Sequence, residues 1–162
     1  MTITKKDIFN GLFIYSIGDI IASLIINQFF ISRLLGICFI GAFLYAVEIP
    51  NYFRWIDRYS SAQDTKPFKK SLQRTGLALL YFNPLWISRH LLFINLFSQD
   101  WNNITWNLLS IGLKSFLVNI PISFIANYLI QNKISYKYRF ISSAIFSSLM
   151  AIYYALSHII FK

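Results

Sequence analysis

The chain is short of charge, of histidine and of cysteine. Only 13% of its 162 residues are charged, six of them acidic, and it holds two histidines and one cysteine. A soluble domain carries about a quarter charged residues. That deficit, with 56% hydrophobic residues and a mean hydropathy of +0.53, excludes an ordinary soluble globular domain. Cys38 lies alone inside an apolar run, which excludes an intramolecular disulfide and a thiolate metal cluster. His90 and His158 lie far apart, with no HExxH pattern, no clustered acidic motif, no Gly-rich phosphate loop and no nucleophile elbow. So few candidate groups leave little from which to build a catalytic centre. No enzymatic activity, metal or cofactor is expected.

What the chain has is long apolar runs. The stretch from Arg33 to Arg58 organises the rest: 26 residues with a lone carboxylate at Glu48, Pro50, and an aromatic-basic collar of Tyr52, Phe53, Arg54, Trp55 and Arg58. As a helix it would extend roughly 39 Å, against a bilayer core of about 30 Å. The periodicity predicts five crossings, at about 8–29, 34–55, 72–97, 104–130 and 140–161. The third holds Asn83-Pro84, a predicted kink, and the fourth holds Pro121. The expected fold is all-α: a single transmembrane domain over 1–162, an integral membrane bundle of about five helices. Lys5 and Lys6 before an apolar run resemble a signal peptide. No small-residue cleavage site follows, and Asp19 interrupts the run, so it reads as a retained span. No internal repeat is visible, so an inverted-repeat transporter gains no support.

The net charge of +9 would suggest nucleic acid in a soluble protein. Here the basic residues fall between apolar runs, so topology and lipid headgroups account for them and no nucleic-acid partner is expected. With five crossings one side receives Lys5, Lys6, Arg54, Arg58, Lys66, Lys69, Lys70, Arg74, Lys133, Lys137 and Arg139. The other receives Arg33 and Lys162, with Arg89 nearby. This asymmetry puts the N-terminus on the cytosolic or matrix side and the C-terminus opposite.

Asp19 lies mid-span, with Tyr15 and Ser23 on its helical face. A carboxylate at mid-bilayer costs about 2.5–3.5 kcal/mol on insertion scales and needs a partner or water. It reads either as a pore, proton or substrate site, or as a buried acid that pins helix packing. Lys114 is a candidate partner for Asp19 or Glu48, unless it snorkels to the far side. Ser115, Asn119, Ser123, Asn127 and Gln131 recur every four residues on one helix face. Such a stripe lines a water-filled path or ties helices together. Pro50 frees a carbonyl near Ala46 or Val47, so Glu48 could gate a path; alternatively it pairs with Arg54 at the interface. Arg89 and His90 could hold a phosphate headgroup, or Arg89 could snorkel. Ala144, Ser148, Ala151 and Ala155 share a face that would let backbones approach.

The order of features resembles the Mpv/peroxisomal-membrane-protein family, small multispan proteins of peroxisomal and mitochondrial inner membranes. The residues that carry it are Gly18-Asp19-Ile20-Ile21, then Tyr52-Phe53 leading to Ile56-Asp57-Arg58, then Lys69-Lys70 and Gly76. Pro121 with Asn127-Tyr128, and Arg139 with Tyr153, complete it over roughly 12–158. The chain departs from the family pattern at Ser23, Ala46-Val47, Pro50, Tyr52, Arg74-Thr75, Ile134-Ser135 and Met150. The resemblance implies a channel-like role in membrane homeostasis, with the mitochondrial inner membrane expected before the peroxisomal or a bacterial inner membrane. It leaves Asp57-Arg58 as motif residues, with an interfacial anchor, Asp57 paired to a local arginine, as the plainer account.

Three functions remain open. The first is permeation of a small solute or ion, by an oligomer, along Asp19, Glu48, Lys114, Ser115, Asn119, Ser123 and Asn127. The second is a structural subunit or assembly factor in a larger membrane complex. The third is a lipid-headgroup enzyme using Arg89, His90 and the basic collar.

Overall fold

The computed structural model describes residues 3–63 and 66–160, and within these the side chains of all but Ala151 and 154–160. Helix α1, Lys5–Ile25, opens on a capping box. The Thr4 hydroxyl accepts from the Asp7 N–H while the Asp7 carboxylate accepts from the Thr4 N–H. It ends in a Schellman turn, with Asn27 in the left-handed region at φ 53°. There the Gln28 N–H reaches the Ser23 carbonyl and the Asn27 N–H reaches that of Leu24. The expected continuation to 29 fails because Asn27 tolerates this conformation and stops the helix.

The second rod is longer than expected. Helix α2, Ile31–Phe39, passes through a π-helical segment, Ile40–Tyr45, into α3, Ala46–Ser61. Together they form a 31-residue apolar run, roughly 46 Å long. Pro50 sits inside α3, where it cannot donate to Ala46. The Asn51 side-chain amide donates instead to the neighbouring Val47 carbonyl at 2.7 Å.

The third expected crossing is two helices, α4 (Pro67–Tyr81) and α5 (Pro84–Phe97), not one kinked helix. Pro84 removes an N–H and its ring crowds the Leu80 carbonyl. Asn83 repairs both ends of the break. Its carbonyl oxygen caps the Trp86 N–H at 3.0 Å, and its amide donates to the Leu80 carbonyl at 2.9 Å. Helix α5 ends in a second Schellman turn at Gln99, φ 60°. Helix α6, Asn107–Asn132, and α7, Tyr136–Ile160, follow.

These rods close a ring. Helix α1 packs on α7 and on the α2–π segment, α2 on α5, α3 on α4, α6 on α4 and α5, and α7 on α6. Among the described residues there is no strand. Among the described residues four helical runs are long and apolar enough to cross a membrane: Lys5–Ile25, Ile31–Ser61, Pro67–Phe97 and Asn107–Asn132.

The patterning is inverted relative to a soluble protein. On α1 the exposed residues are Phe9, Phe13, Ile17, Ile21 and Leu24, while Ser16, Asp19 and Ser23 are buried. On α6 Leu113, Leu117, Ile125 and Leu129 face out, while Ser115, Asn119, Ser123 and Asn127 face in. An amphipathic helix in water turns the other way.

Small residues set the closest approaches. A Cβ at Gly11 would meet the Gly41 carbonyl, and one at Gly18 would meet Ser148. The Ser148 hydroxyl donates to the Ile14 carbonyl at 2.7 Å, tying α7 to α1. Of the expected small-residue face on α7, Ala144 and Ser148 are described. The side chains of Ala151 and Ala155, with His158 and Lys162, lie outside the described residues. Gly18→Leu should force α1 from α7 at a cost of about 1–3 kcal/mol, the range for overpacking a close contact. A thermal midpoint in detergent equal to that of the unmodified chain would contradict this packing.

Candidate functional site

Acids inside the bundle are held by arginines from other segments. Asp19 on α1 meets Arg33 on α2. Arg33 Nη2 donates to Oδ1 at 2.6 Å and Nε to both carboxylate oxygens at 3.0–3.1 Å. The two side chains are 3% and 1% exposed. This corrects two expectations. Arg33 belongs to the interior rather than to the far-side loop, and Asp19 does not pair with Lys114, which is exposed on α6. Tyr15 and Ser23 share the buried face with Asp19.

Glu48 on α3 is clasped by Arg89 on α5, with Nη1 at 3.0 Å and Nη2 at 2.7 Å. The Tyr81 hydroxyl donates to the same carboxylate at 2.8 Å. The expected partner Arg54 instead donates to the Asn51 side chain. This pair is 29% and 33% exposed, unlike that of Asp19. It lines a cavity of about 520 Å³ with Asn51, Tyr52, Asn83, Leu85 and Trp86. Arg89 and His90 do not act together: His90 is buried, bonded through Nδ1 to the Tyr45 hydroxyl at 2.9 Å and stacked on Trp86.

Asp57 near the end of α3 accepts from Arg74 on α4 and from Arg139 on α7, the latter at 2.7 and 2.8 Å. The expected local partner is therefore replaced by a clamp joining three helices. Arg58 is exposed, Phe53 is buried, and the Tyr52 hydroxyl donates to the Leu77 carbonyl at 2.8 Å. Pro121 is exposed within α6. Two residues of the family-like motif, Asp57 and Arg139, thus meet, while Gly18 and Asp19 serve α7 and Arg33 respectively.

The stripe on α6 is buried over its whole length, from Ser115 to Gln131. Its side-chain bonds run along α6, Asn119 donating to the Ser123 hydroxyl at 2.7 Å and Asn127 to the Ser123 carbonyl at 2.8 Å, while the Ser115 carbonyl accepts from the Tyr153 hydroxyl of α7 at 3.0 Å. Ser115 Oγ, Asn127 Oδ1 and both polar atoms of the Gln131 amide have no hydrogen-bond partner among the described residues. Nor does α6 pack along α1, so Asp19 and the Asn119 face occupy different parts of the ring.

Sequence reasoning missed Arg33 and Arg89 as partners. A signal for Arg33 existed. Asp19 lies eight residues before Asn27 and Arg33 six after it, so a tight hairpin at Asn27 puts them at one level. The Glu48–Arg89 contact needs the break at Asn83 and carried no comparable signal. Set beside known protein families, curated proteins and solved structures, the chain has no match.

Asp19→Asn should leave the Arg33 guanidinium buried and uncompensated, at a cost of about 3–5 kcal/mol. Asp19→Leu with Arg33→Met should recover most of that stability, since neither charge then remains. Thermal unfolding in detergent decides: Asp19→Asn unfolding at the unmodified temperature would show that the pair does not hold the fold.

Proposed function

We propose that the chain is an integral membrane bundle of five crossings that binds a small solute or ion in its interior and passes it across the bilayer. The inverted patterning supports the membrane reading, because exposed Phe, Leu and Ile ridges are stable only against lipid. Helix α7 supplies the fifth crossing. The basic collar around Arg58, Lys66, Lys69 and Lys70 and the turn at Lys133 and Lys137 support an N-terminus on the cytosolic or matrix side. With Arg33 and Arg89 drawn into ion pairs, the opposite side is left still poorer in free cations. The reading is that of a distant member of the Mpv/peroxisomal-membrane-protein family, in the mitochondrial inner membrane before the peroxisomal or a bacterial one.

The observation that carries the permeation reading is the half-open cavity at Glu48 and Arg89. It lies near the middle of the two 31-residue runs that form its walls. The inward amides and hydroxyls of α6 that lack partners are a second support, because buried polar groups in a dry bundle are normally bonded. Asp19 is reassigned from the path to the scaffold, since Arg33 occupies it.

Reconstituted into liposomes, the chain should release small polar solutes, and joint Glu48→Gln and Arg89→Gln substitution should cut the rate at least about tenfold. No efflux from the unmodified chain sinks permeation. If a stoichiometric partner also survives mild detergent, the chain is instead a structural subunit of a larger complex. Orientation is checked separately in a Cys38→Ser background. Lys66→Cys should be labelled by an impermeant thiol reagent from the cytosolic or matrix side only, and Thr105→Cys from the other side only.

A further inference from the structure

The cavity at the broken third rod has a chemistry of its own. Its walls hold one carboxylate and one guanidinium in direct contact, Glu48 and Arg89, both about a third exposed. It opens where α4 ends and α5 begins, so its lining includes Asn83, the cap of the new helix, and Leu85 in its first turn. Asn83 already takes the N–H groups of Trp86 and Ile87, but the amino end of a helix still carries partial positive charge, and interrupted membrane helices use it to face anionic groups. Tyr52, Tyr81, Trp86 and Leu85 make the remaining wall aromatic and apolar. Trp86 is 6% exposed, and its indole N–H has no hydrogen-bond partner among the described residues. At about 520 Å³ the space falls within the roughly 300–1,000 Å³ of small-molecule sites.

Charge conservation selects the ligand. A simple anion that took Arg89 would strand Glu48 in a medium where an unpaired carboxylate is costly, and a simple cation taking Glu48 would strand Arg89. A molecule carrying both charges can enter the pair without stranding either. Because Glu48 and Arg89 touch, the two ligand charges must lie close together, and the wall asks for an apolar or aromatic body.

We propose that this cavity is a binding site for an α-amino-acid-like zwitterion. Its carboxylate faces Arg89 and the amino end of α5, its ammonium group faces Glu48, and its apolar side group lies against Tyr52, Tyr81 and Trp86. The proposal rests on the permeation reading for its biological sense, but the site itself does not depend on it.

The test is equilibrium binding to the purified full-length chain in detergent, with L-phenylalanine as probe. 3-Phenylpropionate, which lacks the ammonium, and 2-phenylethylamine, which lacks the carboxylate, are the controls. L-phenylalanine should bind saturably and at least about tenfold tighter than either control. Leu85→Trp, which fills the cavity and leaves the ion pair untouched, should weaken it at least about tenfold while the thermal midpoint holds. Equal binding of all three compounds, no saturable binding of L-phenylalanine, or unchanged binding by Leu85→Trp overturns the proposal. Binding in detergent without efflux from liposomes would keep the site and remove permeation. Efflux without L-phenylalanine binding would do the reverse.

Discussion

A carboxylate enclosed by apolar helices has to be neutralised inside the bundle, and in this chain that need fixes which helices are neighbours. Asp19 ties α1 to α2, Glu48 ties α3 to α5, and Asp57 ties α3 to α4 and α7. Each pair is a poor source of net stability on its own, because removing ions from water is expensive. Its power lies in the penalty for the wrong arrangement. A slipped helix would leave a charge unpaired, so the pairs choose one register among packings that outward-facing Leu, Ile and Phe would otherwise accept with little preference. In the bilayer proposed for this chain the hydrophobic effect would not make that choice, since lipid tails are as apolar as the helix surfaces.

The backbone irregularities serve the same end. The π segment at Ile40–Tyr45 adds a residue to the turn and sets Tyr45 between Tyr15 and Trp86, where its hydroxyl holds His90. The Asn83-Pro84 break lets α5 restart independently of α4, so that Arg89 reaches Glu48 while Tyr81 reaches it from the other side of the break. The local cost of the two helix prolines is met by side-chain amides: Asn51 bonds the Val47 carbonyl beside Pro50, and Asn83 bonds the Leu80 carbonyl and the Trp86 N–H beside Pro84.

Much of this was legible beforehand, and unevenly. The apolar runs predicted all-helical structure, and the four-residue spacing predicted a single face from Ser115 to Gln131 turned away from the surroundings. Helix ends were misjudged where a side chain, not hydropathy, decides them, as at Asn27. Partners were misjudged because an intramembrane acid announces that it needs a cation without saying which. Arg33 looked like a loop residue only because hydropathy windows penalise arginine, and Glu48 was given to Arg54 because that residue is close in sequence. Asp57 shows the same bias: Arg54 and Arg58 flank it, yet Arg74 and Arg139 hold it.

The contrast between the Asp19 and Glu48 pairs bears on what the bundle can do. Both are bidentate, and each joins two different helices. One is sealed and the other stands at the wall of a cavity. The difference follows from the Asn-Pro break. A continuous third helix would carry side chains past Glu48 at every 1.5 Å of rise and close that wall. With Phe82 and Asn83 out of the helix, the wall is interrupted near the ion pair. The break is therefore better understood as the feature that converts one structural ion pair into an accessible one, while the pair beneath Asp19 keeps the frame rigid around it.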